Sequence, residues 1–231
     1  MKLAIIPIKE RSIRLPKKNY CNFFGKPIFT YIYNEAIKSK LFDKVIISTD
    51  SKYVINYCKN NKINDLVIRP KYLSNKLSTL DQVILYTFKK LGIDQVQYFC
   101  LLWATSPMTS HKDLIKSYNL IKNDKRTEGC IGCIEDYSLY SSLKKNTNSV
   151  YYSPVYNSKK ISKLSKQLIE PNYLINSSLA WVKFDSFLRN NSWILKNTIP
   201  YSMPYYKSVD LDNPKDLELL KFYYKKYKNK K

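Results

Sequence analysis

Two groups of charged residues, near opposite ends of the chain, are of the types and spacings that do chemistry. The apolar run Ile5-Ile-Pro-Ile8 opens straight into Lys9-Glu-Arg-Ser-Ile-Arg-Leu-Pro-Lys-Lys-Asn19. A strand at that point delivers Lys9, Arg11, Arg14, Lys17 and Lys18 to one end of a sheet, where several cations can converge on a polyphosphate. The loop lacks the glycines of a G-x-x-x-x-G-K-[ST] motif, so phosphates would be held by side-chain cations and by hydroxyls such as Ser12, not by a ring of backbone amides. That argues against a Walker-type NTPase. The second group is Val209-Asp-Leu-Asp212. Carboxylates two residues apart on an extended segment project to one face, as a shared hard-cation site requires. They repel one another unless a cation or proton intervenes, and Mg²⁺ is the natural cation beside a nucleoside triphosphate. On spacing alone the plainer alternative stays open: Asp212 as a helix cap and Asp210 as a solvated side chain.

The elements that must position these groups alternate along the chain. Strands are expected at 3–8, 45–48, 66–68, 98–103 and 129–134, with helices between them at 28–39, 52–60, 79–91 and 114–122. Such alternation predicts an α/β fold: a doubly wound, mostly parallel, Rossmann-like sheet with helices on both faces. Ligands of such sheets sit beyond the carboxyl ends of the strands. The basic loop, Ser48-Thr-Asp50 and Ala104-Thr-Ser106 all fall at such ends. Residues 136–173 break the pattern, being polar and rich in Tyr and Ser with irregular apolar spacing; this is too long for an ordinary connection. A further strand is expected at 179–184. Asp212-Asn-Pro-Lys-Asp then opens the last helix, with an Asn or Asp cap and Pro in the first turn.

At 231 residues the chain suits one sizeable core. No apolar run approaches the length of a membrane span, and a cytoplasmic location is expected. The formal charge is +22, but the Lys residues are dispersed and accompany many Ile, Asn and Tyr with only 4 Gly. This reads as a broad bias of residue usage that aids solubility, not as a nucleic-acid stripe. The basic tail from Lys225 reads as a frayed helix end set against the helix dipole. Five scattered cysteines do not make a disulfide framework. Cys130 and Cys133 lie three apart on a strand and so face opposite sides; core thiols are expected. His111, the only histidine, is expected at a helix start.

Taken in order, these blocks carry a resemblance. Ser12-Ile-Arg-Leu-Pro-Lys-Lys-Asn19, followed by Phe24-Gly-Lys-Pro27, resembles the signature of cytidylyltransferases that make CMP-activated sugar acids, above all the acylneuraminate (CMP-sialic acid synthetase) family. The likeness continues through Leu41-Phe-Asp-Lys-Val-Ile-Ile-Ser-Thr-Asp50, Ile68-Arg-Pro70, Leu101-Leu-Trp-Ala-Thr-Ser-Pro107 and Ser208-Val-Asp-Leu-Asp-Asn-Pro-Lys-Asp-Leu-Glu218.

The resemblance implies a nucleotidyltransferase in which a sugar hydroxyl attacks the α-phosphate of CTP and pyrophosphate leaves. It assigns Lys9, Ser12, Arg14, Lys18, Asn19 and Ser78 to the nucleotide, and Trp103, Gln167 and Asn176 to the sugar acid. Lys18, Arg14 and Asp210 become the expected catalytic residues, with Mg²⁺ on Asp210 and Asp212. It also implies a single cytidylyltransferase domain over 1–231, whose residues 136–175 form a sugar-covering excursion that crosses to a second subunit of a homodimer. The expected substrate is a nine-carbon 2-keto-3-deoxy sugar acid of the sialic, legionaminic or pseudaminic type. Alternatives are 3-deoxy-octulosonate, or no catalysis at all in a silent nucleotide-binding homologue. The chain departs from the family's usual residues at several points. Lys9 stands for Arg and Ile13 for Lys. Trp103 stands for the Gln of some sialate enzymes, Thr109 for the Arg of many, and Asn75-Lys76 for an acidic stretch.

Overall fold

The computed structural model describes residues 1–75, 77–93, 95–138, 142–148, 150, 152–155 and 170–228. Strand β1 (Lys2–Ile8) leads through a tiny hairpin, β2 (Asn22–Phe23) and β3 (Lys26–Pro27), into helix α1 (Phe29–Ser39). Then follow β4 (Lys44–Thr49), α2 (Lys52–Asn60), β5 (Leu66–Ile68), α3 (Leu80–Leu91), β6 (Tyr98–Leu102), α4 (His111–Ile121) and β7 (Gly129–Asp136). A second small hairpin, β8 (Leu143–Lys145) and β9 (Tyr152–Pro154), precedes β10 (Asn172–Lys183), α5 (Phe184–Asn190), β11 (Thr198–Ser202) and α6 (Pro214–Tyr227). Seven strands form one sheet in the order β11-β7-β10-β6-β1-β4-β5.

Alternation along β1 decides which face each side chain serves. Ala4, Ile6 and Ile8 join Phe29 and Ile32 of α1, Val54 of α2 and Leu114 of α4 on one face. Leu3 and Ile5 join Ile84 and Phe88 of α3 and Phe184 and Phe187 of α5 on the other. Each of these Val, Leu, Ile and Phe side chains, fully buried, contributes roughly 1.5–3 kcal/mol of transfer free energy. Trp181 is the largest fully buried side chain; it stacks on Phe42 at 5.1 Å and donates its indole N–H to Ser117 Oγ at 3.0 Å. The helices carry their own start signals. Thr79, Ser110 and Asn213 each cap a helix whose third residue, Gln82, Asp113 or Asp216, bonds back to the cap. His111 therefore opens α4, as expected.

Strand β10 departs from the parallel scheme, pairing antiparallel with both β6 and β7. Strand β10 re-enters the sheet from the end at which β7 leaves it, and a return from the same end forces antiparallel pairing. Its first half pairs β7 with Asn172 opposite Asp136 and Ile175 opposite Cys133. There Tyr173, Leu174 and Ile175 lie on the surface, 46%, 55% and 40% exposed. The excursion expected at 136–173 is thus partly regular, with a two-strand extension at its base. Cys130 packs on the face of α1, while Cys133 lines an apolar groove with Ile131 on the opposite side, so neither pairs with the other.

The basic tail is not a frayed end as far as it is described. Lys228, just past α6, has a side chain only 20% exposed and donates from Nζ to Pro107 O at 2.8 Å, Thr109 O at 3.1 Å and Glu35 Oε1 at 3.4 Å. Glu35 also accepts from the His111 backbone and meets its ring Nδ1 at 2.8 Å.

Candidate active site

Beyond Ile8 the chain cannot continue as a strand: Asn19 donates from its side chain to Lys9 O at 3.0 Å, closing residues 9–19 into a loop. Leu15 plugs into a small apolar cluster with Phe23, Leu211 and Leu220, which draws the loop toward the start of α6. Lys17, at φ +60°, caps the short 3-10 turn Lys18–Tyr20 and points into solvent, whereas Lys18 is half-buried. The two neighbouring lysines are therefore distinct in role.

The expected phosphate cations and the expected metal carboxylates meet in one cluster. Lys18 Nζ donates to Asp212 Oδ1 at 2.8 Å and lies 3.6 Å from Asp210 Oδ1. The Arg14 guanidinium reaches Asp212 Oδ2 at 2.7 Å. Chiefly the hydrogen bond from Lys18, with Arg14 adding to it, outweighs slight desolvation and holds the Asp212 carboxyl below the usual carboxylate range. It is therefore ionised at neutral pH. The Asp212 backbone is secured separately, its N–H donating to Asp216 Oδ2 at 2.8 Å. Among the described residues no three His, Cys, Asp or Glu side chains are placed to hold a metal by protein ligands alone. Two converging carboxylates fit Mg²⁺, which keeps several waters and takes one or two carboxylates together with substrate phosphates.

A second cluster stands at the ends of β1, β4 and β5. Asp50 Oδ1 accepts the Glu10 backbone N–H at 2.9 Å and Arg69 at 3.3 Å, and Arg69 also donates to Ile8 O at 2.7 Å. Burial pulls the Arg69 pKa down, and Asp50 only partly offsets it. Tyr20 donates to Glu10 Oε1 at 2.6 Å; burial first, then Glu10, pushes its hydroxyl up to about 12. These residues edge a cavity of 540 Å³ lined by Glu10, Asp50, Tyr53, Lys71, Ser74 and Asn75 among others. Lys9 spans toward its rim, donating to Asn75 O at 2.7 Å. Ser78 faces an adjoining groove and donates to Tyr72 O at 2.7 Å. Ser12 is half-buried in the loop, and Ile13 is 76% exposed, so the missing cation at position 13 leaves no gap in the packing.

The expected sugar residues gather at the carboxyl end of β6. Trp103 packs edge-on against Trp193 at 5.4 Å. A bulge in β10 after Ile175 shifts the register and puts Ser177 at φ +49°. It turns Asn176 inward, where its amide donates to Ser208 Oγ at 2.8 Å and its carbonyl accepts from Ser178. Gly132 makes room for this bend; a Cβ there would run into the Ser178 hydroxyl and come within 2.9 Å of Asn176 Oδ1. Ser106 fastens the β6 loop to the bulge through Ser177 O at 2.8 Å. Gln167 lies outside the described residues.

Three interactions were not foreseen. Glu10 and the Asp50–Arg69 pair stand inside or beside the quoted motifs, but nothing in their spacing marks them as partners. Lys207 donates to both oxygens of Asp113 at 2.9 and 2.7 Å. Burial raises that carboxyl, but bonds from Lys207 and Ser110 more than offset it, and the net pKa is lowered. Lys207 thus fastens the segment leading into Asp210 to the start of α4. Nothing in a sequence this rich in lysine distinguishes it.

A mixed, mostly parallel sheet with a cation-rich loop after β1 and paired carboxylates opposite defines a Rossmann-like nucleotidyltransferase. The chain belongs to the cytidylyltransferase family, whose model matches residues 3–228. It is similar to the pseudaminic acid cytidylyltransferase of Campylobacter jejuni subsp. jejuni serotype O:2, 26% identical over 231 residues, with 96% of each chain covered. It is also similar to a Helicobacter pylori protein named as pseudaminic acid cytidylyltransferase and UDP-2,4-diacetamido-2,4,6-trideoxy-beta-L-altropyranose hydrolase, 31% identical over 131 residues. That match takes in 57% of this chain and only 25% of the H. pylori protein's length. In fold it matches a CMP:2-keto-3-deoxy-manno-octonic acid synthetase solved with CTP, with a TM-score of 0.68, 16% identity, and 96% and 97% of the two chains covered.

Proposed function

We propose that this enzyme transfers the cytidylyl group of CTP to a nine-carbon 2-keto-3-deoxy sugar acid, of the pseudaminic type, with release of pyrophosphate. The observation that carries this is the cluster of Arg14, Lys18, Asp210 and Asp212 at the carboxyl end of the sheet, in a chain of this family whose full-length relative is named for pseudaminic acid. Nucleotidyl transfer asks for positioning and charge stabilisation more than covalent help. Arg14 and Lys18 neutralise charge on the phosphates as it shifts toward the leaving pyrophosphate. Lys9 and Ser12 bind along the same loop, while Asn19 and Ser78 keep the nucleotide side of the site in shape through their bonds to Lys9 O and Tyr72 O. Asp210 and Asp212 would hold Mg²⁺, which when bound supplies polarisation of the α-phosphate. Trp103, Asn176 and Gln167 are assigned to the sugar acid.

The reading extends to a single domain with residues 136–175 as an arm, and to a cytoplasmic homodimer joined through that arm. The exposed apolar residues of the β7–β10 extension support the arm, and aromatic surface of this kind is enriched at interfaces. Among the described residues no helix is long and apolar enough to cross a membrane. The test is pyrophosphate release with CTP, Mg²⁺ and a panel of sugar acids. Turnover is expected with pseudaminic-type acids above the eight-carbon 3-deoxy-octulosonate. No turnover with any nine-carbon acid, or a preference for the eight-carbon one, refutes the assignment.

A further inference from the structure

The cavity beside β1 contains two polar atoms with no partner among the described residues. Glu10 Oε1 accepts from Tyr20 OH at 2.6 Å, but Glu10 Oε2 is buried without a partner. The hydroxyl of Ser74, also in the cavity wall, is likewise buried and unpartnered. Buried polar atoms are nearly always hydrogen-bonded, and an exception calls for a ligand or a cost. Asp50, the other carboxylate of this wall, is already neutralised by Arg69. Glu10 Oε2 is therefore a buried carboxylate oxygen of this wall with spare accepting capacity.

The wall sets Glu10 and Asp50 beside Arg11, Lys52 and Lys71, and it is the unpartnered Glu10 oxygen that asks for a donor. A carboxylate repels phosphate, so the triphosphate belongs toward Arg14 and Lys18, and the Glu10 end must face a group that donates. We infer that Glu10 is a specificity residue for the nucleoside half of CTP, its Oε2 accepting from the exocyclic amine of cytosine or from a ribose hydroxyl. This rests on the CTP reading above. An acceptor in this position also rejects uracil, which carries a carbonyl oxygen where cytosine carries the amine. A site built to bond a donor discriminates strongly against an analogue lacking it, because its own buried group is then left unpaired.

The experiment is titration calorimetry of the full chain with CTP, UTP and 2′,3′-dideoxy-CTP. It compares wild type, Glu10→Ala, the isosteric Glu10→Gln and Tyr20→Phe. A hydrogen bond to a charged group corresponds to a preference of about ten- to a hundredfold. Wild type is expected to prefer CTP by that factor over UTP if the amine is the donor, or over the dideoxy nucleotide if a hydroxyl is. Glu10→Ala should bring that ratio to within about twofold of unity, and Glu10→Gln should lower it at least about threefold should the alanine variant not fold. Tyr20→Phe removes the bond to Oε1 but keeps the acceptor, and should retain the preference. Wild-type ratios in both Glu10 variants, or no preference in wild type, overturn the inference while leaving cytidylyl transfer standing. Failure of wild type to bind CTP at all refutes the proposed function, and the inference with it.

Discussion

Replacing Asp212 by Asn should separate chemistry from folding. The carboxylate takes hydrogen bonds or ion pairs from Lys18 at 2.8 Å and Arg14 at 2.7 Å, with side-chain exposures of 19% for Lys18, 71% for Arg14 and 26% for Asp212. An exposed pair such as Arg14–Asp212 contributes little, and the half-buried bond to Lys18 somewhat more, so the stability loss should be about 1 kcal/mol. In a chain of this size that is a fall of roughly 2–4 °C in Tm. The helix start survives, because the cap is built by Asn213, Asp216 and the Asp212 backbone rather than by the Asp212 side chain. Activity should suffer far more. Removing one pre-placed charge from a reacting phosphate centre costs about 10²–10³-fold in turnover. The assay pairs pyrophosphate release at saturating CTP and sugar acid with thermal unfolding and with Mg²⁺ binding by calorimetry. Turnover within a fewfold of wild type would refute the carboxylate's role. So would a Tm collapse large enough to account for the whole loss, since the residue would then be merely structural.

Three further outcomes are expected. Lys18→Ala should lower turnover at least about tenfold more than Lys17→Ala, because only Lys18 reaches the carboxylates while Lys17 faces water; equal kinetics would show that the loop is read in the wrong register. Asp113 has a lowered folded pKa, so its bond to Lys207 stabilises the fold above the ordinary Asp range, and that contribution is lost as pH falls through the folded value. Asp113→Asn should therefore flatten the loss of Tm between about pH 5 and 2, and an unchanged slope would contradict it. Wild type should scatter light as a dimer at micromolar concentration, and Leu174→Glu on the β7–β10 extension should shift it toward monomer; a monomeric wild type would sink the arm.

The fold was legible wherever burial on both faces leaves continuous apolar runs. Helix 52–60 and strand 66–68 stand where the sequence puts them, and Asn213-Pro214 opens α6 as its capping chemistry dictates. Strand β10 was half visible. Its buried part from Leu179 reads as a strand, but Tyr173–Ile175 pairs outside the core and carries no burial pattern, while the bulge at Asn176 depends on space left by Gly132, half the sheet away in sequence. Helix α5 is only seven residues long and gives too few turns for a period to appear. In the site, the cations and the Asp-x-Asp pair were recognisable by type. Their direct contact was not, because nothing local reports a bond across the fold. Lys228 shows the same limit. Among the described lysines of that run, Lys228 is the half-buried one because the carbonyls of Pro107 and Thr109, away from α6, accept from it.

The bond between Lys18 and Asp212 joins residues 194 positions apart. A growing polypeptide folds from its amino end as it is made, so the basic loop is made before its acidic partners and waits for them while the residues between are added. Until residues 210–212 emerge, Arg14 and Lys18 form an uncompensated cationic loop, open to any polyanion in the cell. Their pairing thus comes late: a chain that stops before Val209 lacks the carboxylates that meet Arg14 and Lys18 in the folded protein.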